Sequence, residues 1–206
     1  MLIVFEGIDG AGKSTQARLA LETLERRGVP AVLLREPTDG QYGARLRGLA
    51  GQGRDSVSPQ EECELFRLDR MEDVTRNIAP AFASGKVVLL DRYYFSTMAY
   101  QGALGLDPER IRQDNEAFAP VPNLALYYDM APERAAERIR NGRGEALNLF
   151  ERVDYLRRVR AIYRSFVFPY WRTIDASRPV EAIRLETQAA INAAMSGGRS
   201  GHDTNH

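Results

Sequence analysis

Along this chain, short unbroken apolar runs alternate with longer stretches of helical period. Leu2-Ile3-Val4-Phe5, Ala31–Leu34, Val87-Val88-Leu89-Leu90 and Leu124–Tyr128 carry no charged interruption, the pattern of strands buried on both faces of a parallel sheet. Arg172–Asp175 predicts a fifth, shorter strand. Ser14 to Arg27 predicts a helix with Leu19, Ala20 and Leu24 turned inward and Gly28 as its stop signal. Tyr42–Ala50 predicts a short helix and Gly51–Val57 a loop. Ser58-Pro59-Gln60-Glu61 opens a longer helix: Ser58 caps it, Pro59 takes its first position, and Glu61 completes a capping box. That helix should run to about Ala83, bent at Pro80. Pro132–Arg140 predicts a further helix, and Asn141–Asn148 a mobile linker. Phe150 to about Pro169 reads as a long helix carrying Val153, Leu156, Val159, Ile162, Tyr163 and Phe166 on one stripe. Ser177 should cap a last helix through Met195, with Pro179 in its first turn.

Strands alternating with helices imply an α/β fold: a five-stranded parallel sheet with helices on both faces. No repeat and no long linker divides the chain, so residues 1–196 read as one domain. The polar, Gly/Ser-rich stretch 197–206 is expected to be a disordered tail.

The connection after the first strand changes the picture. Gly7-Ile8-Asp9-Gly10-Ala11-Gly12-Lys13-Ser14 reads G-x-x-x-x-G-K-S between a strand and a helix, the spacing of a phosphate-binding loop. A polyphosphate needs several backbone N–H groups converging on it, and glycines let the chain curl that closely. The helix N-terminus adds its dipole. Lys13 is placed to reach the β- and γ-phosphates of a nucleotide, and the Ser14 hydroxyl to ligate Mg²⁺.

Charge and composition then exclude several classes. Lys+Arg and Asp+Glu are both 28, which leaves no basic footprint for nucleic acid. All but two of the basic residues are arginine, the lysines being Lys13 and Lys86. Both histidines, His202 and His206, fall in the tail, so a Ser-His-Asp triad or a histidine-ligated zinc is excluded from the folded body. The lone Cys63 permits no internal disulfide. No leader-like stretch or membrane-length apolar run is present, so the expectation is a cytoplasmic protein.

A second cluster follows the strand at Val87–Leu90. Asp91 is where a phosphate-loop fold places a carboxylate that supports Mg²⁺ through water, and Arg92 adds a guanidinium suited to two phosphoryl oxygens. Tyr93 to Gly102 then crowds aromatics, hydroxyls and an amide into ten residues. Phe66 and Arg70, four apart, share one helix face; an aromatic beside an arginine suits a planar base bearing carbonyls.

Phe5-Glu6-Gly7-Ile8-Asp9-Gly10-Ala11-Gly12-Lys13-Ser14-Thr15, Arg35-Glu36-Pro37, Leu65-Phe66 through Asp69-Arg70, and Asp91-Arg92-Tyr93 through Ser96 to Tyr100-Gln101-Gly102 together resemble the thymidylate kinase family. The resemblance runs in order from Leu2 to about Met195. It implies a P-loop NTPase-type three-layer fold and transfer of the ATP γ-phosphate to dTMP, giving dTDP, in a homodimer. It further implies that Gly7 to Ser14, with Thr15, hold the ATP phosphates, and that Asp9 orients the phosphates, the Mg²⁺ water shell or the acceptor. Arg92 would clamp the dTMP phosphate, Phe66 would stack on thymine, and Arg70 would reach its carbonyl edge. Glu36, Pro37, Ser96, Thr97, Tyr100 and Gln101 would complete the dTMP pocket, Tyr100 excluding a ribose 2′-hydroxyl.

Two departures stand out. Family members that lack an arginine in the phosphate loop commonly carry Asp-Arg-Phe-Glu in a lid over ATP. This chain has Gly10 and Ala11 in the loop but Asn148-Leu149-Phe150-Glu151 in the lid, about residues 138–151. A transferred phosphoryl group calls for a cation there. Arg143, set between Gly142 and Gly144, is the first candidate, ahead of Arg140 and Arg138. Arg35-Glu36-Pro37-Thr38-Asp39-Gly40 also departs from the usual Arg-Glu-Pro-Gly-Gly-Thr, with Arg47 a candidate to assist. Three other readings stay open on these residues. They are a same-fold kinase for dUMP, dCMP or thymidine, a P-loop ATPase or switch module, and a non-catalytic interaction domain on a decayed kinase fold.

Overall fold

The computed structural model describes residues 1–52, 57–143 and 149–197. Its strands are β1 (Leu2–Glu6), β2 (Ala31–Arg35), β3 (Val87–Asp91), β4 (Leu124–Asp129) and β5 (Trp171–Asp175), and its helices are α1 (Lys13–Arg26), α2 (Gln41–Gln52), α3 (Pro59–Asp73), α4 (Ala79–Ala83), α5 (Tyr94–Gly102), α6 (Pro108–Glu116), α7 (Pro132–Arg143), α8 (Leu149–Ser165) and α9 (Val180–Gly197). The strands form one parallel sheet in the order β2-β3-β1-β4-β5. Helices α1 and α9 pack together on one side; α5 packs against α3, α6 and α8 on the other.

The continuous apolar runs of β1, β3 and most of β4 are buried, as expected of interior strands. β2 and β5 lie at the edges and are only partly covered. Register decides where the chemistry falls. Phe5 pairs with Asp91, and Arg35 pairs with Asp91 on its other side. The carboxyl ends of three adjacent strands therefore stop level, and Gly7, Arg92 and Glu36 leave the sheet side by side.

Helix α3 begins as its sequence dictates. The Ser58 side chain accepts from the Glu61 N–H, and the Glu61 carboxylate accepts from the Ser58 N–H. The helix does run to Ala83, but through a π-helical segment, Val74–Ile78, before α4. Pro80 lacks an N–H, and its ring crowds the carbonyl four residues back; the widened turn lies just before it.

Several boundaries differ from expectation. α8 ends at Ser165 rather than near Pro169, because Phe166, Phe168 and Tyr170 turn back to pack around Phe95 and Trp171. Ser177 does not cap the last helix: its N–H donates to Asp175 Oδ1, and the Pro179 carbonyl accepts the first helical bond, from Ile183. In α1 it is Ala17 that is buried with Ala20 and Leu24, while Leu19 is half-exposed. α7 continues past Arg140 to Arg143, into the expected linker. α9 runs past Met195 to Gly197, the first residue of the expected tail, and residues 144–148 of the linker and 198–206 of the tail lie outside the described residues.

Candidate active site

The glycine-rich loop between β1 and α1 is wedged between β4 and α7. A Cβ on Gly7, at φ 143°, would stand 2.7 Å from the Tyr128 carbonyl oxygen, and one on Gly10, at φ 84°, would stand 2.6 Å from that of Ala135. Gly12 caps α1 in the left-handed region with no side-chain cap, leaving the first-turn N–H groups for an anion. Ile8 and Ala11 bury their side chains in the core and offer only backbone to the loop. Lys13 is buried, and its Nζ donates to the Ile8 carbonyl at 2.9 Å. Burial, and secondarily the nearby Arg92 charge, lowers its pKa to about 8. The Ser14 hydroxyl donates to Asp91 Oδ2, and the buried Asp91 Oδ1 has no partner in the structure.

A cavity of about 370 Å³ lies over this loop, lined by Asp9, Gly10, Gly12, Lys13, Ser14, Thr15, Arg35, Asp91, Arg92, Arg138 and Ile139. Arg138 of the lid stretch lines this cavity, and its Nη2 donates to the Ala176 carbonyl at 3.3 Å. Arg140 is exposed. The Arg143 side chain lies outside the described residues.

A second cavity, of about 410 Å³, adjoins the first. Glu36, Pro37, Phe66, Arg70, Arg92, Ser96, Thr97, Tyr100 and Gln101 all line it, with Asp9, Arg35, Arg47 and Tyr93. β2, β3, α3 and α5 thus bring every residue expected of an acceptor pocket to one place. Phe66 is half-buried, and Arg70 is 1% exposed on the same face of α3. The Arg70 guanidinium is largely committed: Nε and Nη2 donate to Glu36 Oε2 at 2.9 and 2.5 Å, and Nη1 donates to Asn115 Oδ1 at 2.6 Å. Nη2 also reaches Thr97 Oγ1 at 3.3 Å. Burial outweighs the Arg70 charge at Glu36 and pushes its carboxyl up to about 8; its Oε1 has no partner. Gln101 is fixed by donating to Glu62 Oε2 at 2.7 Å, its own carbonyl oxygen unpaired.

Arg92 is the hinge between the cavities. It has φ 75°, a left-handed backbone at a non-glycine residue. Its Nη2 donates to Asp9 Oδ1 at 2.5 Å and its Nη1 to Ser96 Oγ at 3.0 Å. The guanidinium carbon stands 5.4 Å from the centre of the Tyr100 ring, a cation–π arrangement. The Tyr100 hydroxyl accepts from the Asp9 N–H at 3.2 Å, and burial pushes its pKa up to about 12.

The departing segment after Glu36 is held by other means. Asp69 accepts from the Thr38 N–H and hydroxyl at 2.9 and 2.6 Å, and Arg47 donates to the Thr38 carbonyl.

Sequence reasoning passed over Glu6, Asn115 and Tyr163. Glu6 did carry a signal: it is an acid ending an apolar strand, the same pattern that singled out Asp91. Asn115 and Tyr163 read as an ordinary helix polar residue and a core aromatic.

The thymidylate kinase family model matches residues 5–186. The chain is similar to the thymidylate kinase of Desulfotalea psychrophila, 46% identical over 185 residues, covering 90% of this chain and 91% of the relative. It is 43% identical over 195 residues to the probable thymidylate kinase of Archaeoglobus fulgidus, covering 95% and 96%. With the thymidylate kinase of Xanthomonas euvesicatoria it shares 44% identity over 201 residues, covering 98% and 87%.

The buried pair predicts a stability signature. Arg70→Met leaves the buried Glu36 carboxyl without its guanidinium partner and should lower the unfolding free energy in urea by about 1–3 kcal/mol. Adding Glu36→Gln to that variant should recover most of the loss. A double variant as unstable as the sum of the singles would mean the two residues act independently.

Proposed function

The chain belongs to the thymidylate kinase family, it phosphorylates dTMP with ATP to give dTDP, and we propose that its two cavities divide that reaction between donor and acceptor. The observation that carries the division is that Asp9, Arg35 and Arg92 line both cavities. The phosphoryl group in transit would lie where the cavities meet.

On the donor side, the loop N–H groups and Lys13 take the β- and γ-phosphates. Ser14 and Asp91 present hard oxygen donors, and the orphaned Asp91 Oδ1 is a buried oxygen suited to a cation or its bound water. Mg²⁺ held there would neutralise polyphosphate charge. Among the described residues no cluster of His, Cys, Asp and Glu could hold a metal by itself, in keeping with a cation shared between protein and nucleotide. On the acceptor side, Phe66 stacks on thymine, and Arg70, held flat by Glu36 and Asn115, presents its remaining Nη1 hydrogen to a base carbonyl. Tyr100, propped by Asp9 and Arg92, fills the space beside C2′, where an added hydroxyl would find no partner. Arg92 grips the dTMP phosphate, and Asp9 holds that guanidinium in place. No covalent enzyme intermediate is required; positioning and fixed charge supply the catalysis.

The lid cation is proposed to be Arg138, which lines the donor cavity, or Arg143, whose side chain lies outside the described residues. No described helix is long and apolar enough to cross a membrane, and burial raises the pKa of Cys63 to about 11, so its thiol is not a poised nucleophile. A cytoplasmic homodimer completes the proposal.

A panel of dTMP, dUMP, dCMP and thymidine, read through coupled ADP formation, tests the reading. The expected result is a kcat/KM for dTMP at least about tenfold above the others, with Lys13→Ala losing about a hundredfold or more at unchanged thermal midpoint. ADP released equally without any acceptor would overturn it. Arg138→Ala should lower kcat by about a hundredfold or more with little change in the KM for dTMP. A larger loss in Arg143→Ala would return the role to that residue.

A further inference from the structure

Glu6, the last residue of β1, is fully buried, and its carboxylate accepts from four donors. Oε1 takes the Tyr93 and Ser96 N–H groups at 2.8 and 3.3 Å, and Oε2 takes the Ser96 and Tyr163 hydroxyls at 2.6 and 2.8 Å. The two N–H groups at Oε1 can only donate, whereas the hydroxyls at Oε2 lie 3.0 Å from each other and can donate or accept, and burial raises the carboxyl pKa. The cations whose charge reaches it are Arg92, Lys13 and Arg70.

The carboxylate lies at the N-terminus of α5. Tyr93, the residue that caps this helix, makes no side-chain cap bond of its own. Glu6 supplies the missing acceptor from another element, taking the N–H groups of Tyr93 and Ser96 at the helix N-terminus. Between the strand and this cap stands Arg92 with its left-handed backbone, a conformation that persists only when the surroundings over-determine it. Ser96 completes the chain of contacts: its hydroxyl donates to Glu6 and accepts from Arg92 Nη1.

We propose that Glu6 is a positioning residue for Arg92, fixing both the turn that carries it and the Ser96 hydroxyl that aims its guanidinium at the junction of the two cavities. Tyr163 ties α8, the helix following the lid stretch, to the same carboxylate. The inference rests on the reading of Arg92 as the clamp on the acceptor phosphate. A residue that merely capped α5 would affect stability and both substrates alike. One that aims Arg92 would affect the acceptor selectively.

The test compares Glu6→Gln, Ser96→Ala and Ser96→Thr with the unaltered protein by steady-state kinetics in each substrate, calorimetric dTMP binding and thermal melting. Glu6→Gln and Ser96→Ala should lower kcat/KM for dTMP by about tenfold or more and weaken dTMP binding, with the KM for ATP held within about twofold. Ser96→Thr, which keeps the hydroxyl, should restore most of the loss. Combined with Arg92→Lys, Glu6→Gln should add less than about threefold to the loss from Arg92→Lys alone. Equal losses in both substrates with a lowered melting point, unchanged dTMP kinetics, or fully multiplicative losses in the double variant would each overturn the proposal. If Glu6→Gln does not fold, the Ser96 pair decides. An unaltered protein inactive on dTMP would sink the reading of Arg92, whereas an active one with indifferent variants would sink only the role of Glu6.

Discussion

The wall shared by the two cavities depends on a backbone conformation that its residue disfavours. A non-glycine residue at φ 75° costs of the order of 1–3 kcal/mol, and Arg92 is held there from several directions. Its N–H donates to the Phe5 carbonyl at 3.1 Å, and the preceding Asp91 carbonyl accepts from the Glu36 N–H at 3.1 Å. Beyond it, Tyr93, Tyr94 and Phe95 are wholly buried, with Phe95 packed against Phe166, Phe168 and Trp171. The core thus anchors the chain on both sides of the strained residue. A relaxed turn would carry the guanidinium away from Asp9 and Ser96, and the two cavities would lose their common wall.

The two cavities are built on different physics. The cavity over the glycine-rich loop is shaped by glycines that let the chain pass within contact of the Tyr128 and Ala135 carbonyls. Its one buried lysine has a pKa lowered to about 8 by burial; an incoming polyphosphate would favour the charged form. The second cavity is walled by side chains already paired. Arg70 with Glu36, Arg92 with Asp9, and Asp69 with the Thr38 turn are set before a ligand arrives. Arginine suits these buried places because it keeps its charge where a lysine readily loses it. Fixed charges of this kind need little reorganisation during a reaction, which is where their catalytic value lies.

What the sequence disclosed follows from how local each feature is. β1, β3 and β4 were legible because a strand covered on both faces must be apolar throughout, and the α3 start because a capping box spans only four residues. The strand, glycine-rich turn and helix around Gly7 to Ser14 are contiguous and could be placed from local pattern alone. Phe66 and Arg70 could be paired through helix geometry, and the structure brings them to the cavity lined by Tyr100 and Gln101. The end of α8 escaped, since Phe166 continues the helical stripe but packs better after the chain turns. The partners of Arg70 escaped for another reason: Glu36 and Asn115 lie 34 and 45 residues away, and no local pattern joins them. Glu6 and Tyr163, 157 residues apart, belong to the same class.

Glu6 and Asp91 show how little in the sequence separates two distinct roles. Each is the last residue of its strand, β1 or β3, and the strands are neighbours. Yet Asp91 pairs in register with Phe5, not with Glu6. Side chains alternate across a sheet, so this one-residue offset turns the two carboxylates to opposite faces. Asp91 meets Ser14 of α1, on the side where Tyr128 meets Thr187 of α9. Glu6 meets Ser96 of α5 and Tyr163 of α8, on the side where Tyr127 stacks on Tyr163. One acid faces α1, the helix that follows the glycine-rich loop, and the other faces α5, whose preceding turn carries Arg92. Register therefore does what residue type alone could not: it assigns two similar strand-end acids to the two halves of one site.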